Sequence, residues 1–277
     1  MKIIETDKSE DESQVEEPES ALWRTVAASV RGSGHEKSGL PCQDSHSVEP
    51  LPAGVLIVAV ADGAGSAAHS EIGATVATRA ALDWLSINQD LLNPNADGLS
   101  LEKTLRAAVE EAREKVLAEA AEREINVCEL ASTLIVVAAT PTVVACAQVG
   151  DGAAVVNDQD QRLIALTKPQ FGEYINETTF LTSADALTTL QSKVWRGAIT
   201  HLAVFSDGLE LLCLKLPEGT PHSQFFAPLF HFVSGITEEM DAQTQLEEFL
   251  RSAKIRQFTD DDVTLVLATF PQRLCPH

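Results

Sequence analysis

VLIVAVADG, from Val55 to Gly63, decides the fold. Its apolar run has no polar alternation, is too short for an isolated helix, and is bounded by glycine. That combination predicts a strand buried on both faces. The strand runs straight into a carboxylate, Asp62. Three other stretches behave alike: VVACAQVGDG (Val143 to Gly152), LAVFSDG (Leu202 to Gly208) and FTDDDVTLVLA (Phe258 to Ala268). In the last, the acids precede the apolar run. One Asp-Gly is only a turn signal. Repetition at strand ends carries more weight, because a carboxylate there is held rigidly at the rim of a core. Several such rims brought together make a hard-oxygen site, the kind that takes Mg²⁺ or Mn²⁺.

Outward from these strands, Leu22 to Val30 reads as a first strand. Glycines at 32 and 34 and the Ser-Gly-Leu-Pro at 38–41 mark an irregular loop. Residues 70–87 and 101–124 read as helices. The second is rich in Ala, Leu, Glu, Lys and Arg, and its apolar positions Leu101, Leu105, Ala108, Ala112, Val116 and Ala120 step by three or four. Its charges read as a solvated face. Strands are predicted at 132–139 and 143–149, joined by Ala-Thr-Pro-Thr as a hairpin. Further strands are predicted at 153–156, 162–166, 199–205 and 263–270, with a helix at 246–254. This order implies a single α+β domain with largely antiparallel sheets covered by helices.

The 277 residues carry 41 acidic and 20 basic side chains, for a net charge of −21. That argues against a surface for nucleic acid or an anionic membrane, which would need a basic face. Residues 1–20 hold eight acidic and two basic residues. They read as a disordered acidic tail. A main domain is expected over 21–272 and a short tail over 273–277. No stretch reaches the length of a transmembrane helix, and the start lacks the pattern of a secretory leader. Five cysteines with no CxxC fit reduced thiols in a cytoplasmic protein.

The order RGSGHEKSGLPCQD, VADGAGSA, ASTLIV, VGDG, FSDG and DDDVTLV resembles the metal-dependent protein phosphatases of the PP2C type. Each element alone is weak; six in the right order are specific. The match runs from about Val30 to Ala268, and LTKPQFGEYINETTFLT (166–182) resembles a bacterial branch. The resemblance implies an α-β-β-α sandwich, two packed antiparallel sheets flanked by helices. It implies a serine/threonine phosphatase with two Mg²⁺ or Mn²⁺ ions and a third in some members. The expected partners are a phosphorylated protein substrate and a cognate serine/threonine kinase, the protein itself being a monomer. The region around 166–195 corresponds to a flap that influences substrate choice.

Carried over residue by residue, Asp62 matches the acid bridging both metals, and the Gly63 carbonyl a ligand of the second. Asp207 and Asp261 match the remaining carboxylates on the first metal. Asp44 matches an acid that orients waters beside the second. Four departures stand out. Gln43 replaces a metal-binding Glu, so its contact is weaker and uncharged. Ala64 replaces a His that serves as general acid. His35 stands where many bacterial members have a phosphate-contacting Arg, and is a candidate for that contact or for the missing acid; Arg31 is the other phosphate candidate. Glu129 lies near a third-metal position, and Asp262 stands where Asn is usual; both are expected as weaker metal contacts. Asp151 is read as ordering a turn, and Thr133 as supporting the sheet. The alternative reading, motivated by Gln43 and Ala64, is a weak or inactive sensor or scaffold that binds metal or phosphoprotein.

Overall fold

A computed structural model describes residues 23–168 and 178–270. The tails at 1–20 and 273–277, and the centre of the expected flap, lie outside these residues. Ten of the strands form two five-stranded antiparallel sheets. The first uses β1 (Arg24–Val30), β6 (Ala153–Asp158), β7 (Leu163–Ala165), β9 (Ile199–Phe205) and β12 (Val263–Thr269) in the order β1-β12-β9-β6-β7. The second uses β2 (Ser45–Leu51), β3 (Val55–Ala61), β4 (Leu134–Ala139), β5 (Val143–Val149) and β8 (Gln191–Arg196) in the order β2-β3-β4-β5-β8. A two-stranded hairpin, β10 (Leu214–Lys215) with β11 (Thr220–Pro221), sits outside both.

Side-chain alternation explains why β3 is apolar throughout. Val55, Ile57, Ala59 and Ala61 face helices α2 (Ser70–Ile87) and α3 (Gly98–Glu122), while Leu56, Val58 and Val60 face the other sheet. β12 divides the same way: Val263, Leu265 and Leu267 meet α6 (Ser223–Ser234) and α7 (Glu239–Leu250), and Val266 and Ala268 enter the space between sheets. Three apolar layers therefore separate four layers of structure, the α-β-β-α sandwich that the resemblance implies. The short helices α1 (Ser33–Ser38), α4 (Ala186–Thr189), α5 (Glu210–Cys213) and α8 (Ala253–Arg256) sit in connections.

α3 follows its predicted stripe. Leu101, Leu105, Ala108, Ala112, Val116 and Ala120 are buried, and the pairs Arg106–Glu110 and Arg123–Glu119 lie on its outer face. Asp97 caps its start by accepting the Ser100 N–H at 2.9 Å, which satisfies one of the open donors of the first turn. α2 packs very closely on the chain before β4: a Cβ on Gly73 would come within 2.0 Å of the Leu130 carbonyl oxygen. The expected helix at 246–254 is instead two helices, α7 and α8, broken at Arg251–Ser252.

The strand register positions the site. Ser45 pairs with Ala61, Leu134 with Val149, and both Ala153 and Leu265 with Phe205. Residues 44, 62, 151, 207 and 261 each lie just beyond one of these strand ends. Backbone pairing alone therefore delivers five carboxylates to one end of the sandwich.

Candidate metal centre

Asp62 leaves β3 in a fixed position. Its N–H donates to the Thr133 hydroxyl at 3.0 Å, and its carbonyl accepts the Thr133 N–H at 2.8 Å. Gly63 continues the pairing with Ser132. A side chain there has no room, since a Cβ would sit 2.7 Å from the Gln43 carbonyl oxygen and 2.8 Å from Ser70 Cβ. The Ser206 hydroxyl donates to Asp44 Oδ2 at 2.7 Å and accepts the Thr264 N–H at 3.0 Å. One serine thus ties the chain before β2 to β12, next to Asp207.

Carboxylate oxygens of Asp62, Asp151 and Asp207 lie within 4.8 Å of one another. Oδ1 of Asp44, Asp151 and Asp207 and Oε1 of Gln43 are buried without a hydrogen-bond partner. Buried polar atoms are ordinarily satisfied. Hard oxygen donors left open on converging carboxylates fit a divalent cation such as Mg²⁺ or Mn²⁺.

Crowding shows in the acidities. Burial first, then the neighbouring carboxylates Asp151, Asp44, Asp261 and Glu210, push Asp207 up to about 8. Burial, then Asp44 and Asp207, raises Asp62 well above the carboxylate range. Burial raises Asp44 to about 6, although hydrogen bonds from its neighbours oppose the rise. In the folded state these groups keep protons that the unfolded chain, with carboxyl pKa values of about 4, has already released. Metal-free stability is therefore greatest at low pH and is lost as pH rises toward about 8, the Asp207 value. His46 and His201, held neutral by burial, oppose this only below the free imidazole value of about 6.5. In EDTA, the melting temperature is expected to rise as pH falls from about 8 to about 6.5, and Mn²⁺ should flatten or reverse the trend by displacing protons. A melting temperature in EDTA that climbs with pH across this window counts against the clustered carboxyls.

The remaining candidate residues separate into distinct groups. Asp261 lies at the exposed rim; its charge acts on Asp151 and Asp207, and its Oδ1 accepts the Asp262 N–H at 2.8 Å. Asp262, expected as a weak metal contact, is committed elsewhere. Its Oδ1 accepts the Gly32 N–H at 2.7 Å, and its Oδ2 contacts the Gln43 N–H at 2.5 Å and His35 Nδ1 at 2.9 Å. Glu129, also expected near a metal, is half-buried with its carboxylate 3.9 Å from His69, and is not one of the three acids that converge. Gln43 is buried beside Asp44. His35 is anchored on the short helix α1, while the Arg31 guanidinium donates to the Leu40 carbonyl at 3.2 Å. Asp151, expected from the sequence to be a turn residue, is part of the cluster. The apolar run ending in Gly-Asp-Gly is its one sequence signal.

Carboxylates converging at the shared end of two packed sheets define a class: sandwich proteins built to hold divalent cations. The family model for protein phosphatase 2C matches residues 31–251. Serine/threonine-protein phosphatase 3 of Escherichia coli (strain K12) is 34% identical over 262 residues, covering 90% of this chain and 99% of that one. The chain belongs to the protein phosphatase 2C family. Among solved structures, the catalytic domain of the serine/threonine protein phosphatase PstP in complex with two manganese ions superposes with a TM-score of 0.59 at 20% identity, covering 89% of this chain and 97% of that one. Serine/threonine phosphatase Stp1 from Staphylococcus aureus gives 0.60 at 16% identity, over 90% and 95%. Both likenesses concern the fold.

Proposed function

We propose that this chain hydrolyses phosphoserine and phosphothreonine in proteins, with Mg²⁺ or Mn²⁺ held by Asp44, Asp62, the Gly63 carbonyl, Asp207 and Asp261. The observation that carries the reading is the set of open carboxylate oxygens at the strand ends. Two ions bound there would supply a water acidic enough to be hydroxide near neutral pH, and would offset charge on the phosphoryl group. The protein's own part is to hold these acids fixed in place. Thr133 fixes Asp62 through the backbone, and Ser206 fixes Asp44 through its side chain. A scaffold that only binds phosphoprotein is not favoured, because it has no use for this costly arrangement.

A leaving serine or threonine alkoxide needs a proton, and Ala64 cannot give one. His35 supplies it in this reading. With Nδ1 engaged by Asp262, Nε2 is the nitrogen left to hold and deliver the proton. Arg31 is the second phosphate contact. The reading extends to signalling in the cytoplasm, opposite a kinase, and the reduced-thiol composition supports that setting. Cys42, Cys128, Cys146 and Cys213 are unpaired, and no described helix is long and apolar enough to cross a membrane.

The reading is tested by phosphopeptide hydrolysis with Mn²⁺ against an EDTA control; no metal-dependent turnover would sink it. His35→Asn is expected to lower kcat on a phosphoserine peptide by about a hundredfold, within the usual range for a general acid. It should affect p-nitrophenyl phosphate far less, since that leaving group departs without a proton. Equal losses on both substrates would remove His35 from the acid role.

A further inference from the structure

Glu210 is a buried acid to which the reading above gives no task. It is 7% exposed, and no basic side chain pairs with it among the described residues. A carboxylate so placed is costly unless hydrogen bonds satisfy it. The chain before it fixes its position. Glu210 opens α5 directly after the turn at Asp207–Leu209. That turn is pressed against the chain before β12, since a Cβ on Gly208 would lie 2.2 Å from the Asp262 carbonyl oxygen. From there Glu210 Oε1 accepts the Gly152 N–H at 2.7 Å.

Gly152 needs that acceptor for a local reason. The pairing of β6 with β9 ends at Ala153 and Phe205, so the Gly152 N–H lies one residue past the ladder. The residue has a φ of +81°, and a Cβ on it would lie 2.6 Å from the Phe205 carbonyl oxygen; both require glycine. The Glu210 carboxylate stands where a strand carbonyl would, and satisfies the open donor. The carbonyls of Gly150 and Gly152 accept the buried Gln148 amide at 3.0 and 2.9 Å. Between the two glycines, Asp151 Oδ2 accepts the Thr178 hydroxyl at 2.6 Å, while Oδ1 is buried and unpartnered. A turn between two strands does not by itself require buried side chains as partners.

We propose that Glu210 is a positioning residue of the metal centre: it joins the Asp207 turn to the Asp151 turn, and the reach of its side chain sets the spacing of those two carboxylates. The inference rests on the metal-dependent reading above. Strand register alone does not set that spacing. Ala153 is paired with Phe205, but Asp151 and Asp207 each lie two residues beyond that pair, and Asp151 has a glycine on either side. Glycine admits many backbone conformations, and a bond across the two turns selects one. An ion such as Mg²⁺ tolerates little displacement of its oxygens, so a small slip of either turn would weaken its hold.

Two substitutions separate reach from charge. Glu210→Gln keeps an acceptor at full reach and removes the charge. Glu210→Asp keeps the charge and shortens the side chain. Mn²⁺ binding to the full chain is followed by calorimetry and by the electron paramagnetic resonance signal of free Mn²⁺, with melting in EDTA as the measure of folding. Glu210→Gln is expected to bind Mn²⁺ as tightly as the unmodified protein. Glu210→Asp is expected to fold and to weaken one ion by about ten- to a hundredfold, the usual scale for residues that orient metal ligands. Weak binding by Glu210→Gln overturns the inference, because charge rather than reach would then matter. So does normal binding by Glu210→Asp, or a Glu210→Asp chain that fails to fold, either of which makes Glu210 a support of the fold only. If the unmodified protein takes up no Mn²⁺, the metal-dependent reading itself falls, a result distinct from these.

Discussion

Asp62→Asn is expected to lower kcat by about a thousandfold or more, the largest effect of any single side chain at the site. Asp62 is the residue on which the acidic neighbours converge: Asp44, Asp207 and Asp151 all press on its charge. In the proposed reading its carboxylate would be among those holding the metal, so neutralising it would weaken metal binding. Removing one preorganised electrostatic contact already costs about a hundred- to a thousandfold in turnover, and a residue that would also hold the metal adds the loss of the chemistry the metal would supply. The Thr133 bonds to Asp62 are made by the backbone, so the variant keeps them. Stability should therefore move the opposite way from activity. In EDTA the variant is expected to melt at a higher temperature, because a buried acid held well above its ordinary range has been replaced by an amide. Assays with Mn²⁺ and melting curves without it read the two effects independently. A variant that is both active and less stable would contradict the assignment.

The second large effect is on stability. Asp262→Ala strands three donors in one step: the N–H groups of Gly32 and Gln43, and His35 Nδ1. Asp262 is 1% exposed, so solvent does not readily replace the lost oxygens. Unsatisfied buried donors cost about 1–3 kcal/mol each, and breaking such a centre costs about 3–5 kcal/mol in all. Against a typical domain stability of about 5–15 kcal/mol, this should lower the denaturation midpoint clearly. Asp262→Asn keeps one acceptor oxygen and should lose much less. Activity should fall in both variants, since His35 loses its anchor. Urea unfolding of the three proteins decides the matter; equal midpoints would mean that the loop does not depend on this carboxylate.

Much of this site is legible in the sequence for a local reason. Asp62 and Asp207 follow long apolar strands and Asp261 precedes one, so position along the chain already announces position at a rim. Asp44 is visible only through the family resemblance, because β2 reads poorly: SHSVEPL contains a proline and little apolar content. Asp151 passes for a simple turn because the partners that brace it are distant. Glu210, which accepts the Gly152 N–H, is 58 residues from Gly152, and Thr178, which donates to Asp151, is 27 away. No window around Val-Gly-Asp-Gly contains that information. Asp262 hides its task for a similar reason, since its partners at 32, 35 and 43 lie some 220 residues earlier. The fold shows the same division. Strands buried on both faces stand out as apolar runs. The exposed edge strand β8 does not, and helix α6 is obscured by Pro228 within it. Which strands pair is a non-local fact that periodicity does not carry.

That pairing has a consequence for biosynthesis. β12, made after all the other described strands, lies between β1 and β9 rather than at an edge. β1, made early, pairs with no strand but β12 among the described residues and waits for it across more than 230 residues. Contacts of such sequence separation form slowly. A nascent chain halted before Val263 has a split first sheet and no Asp261 in place. Synthesis must therefore pass β12 before the acidic site can close, which leaves the shorter nascent chain without a complete site and its unpaired strands in need of protection meanwhile.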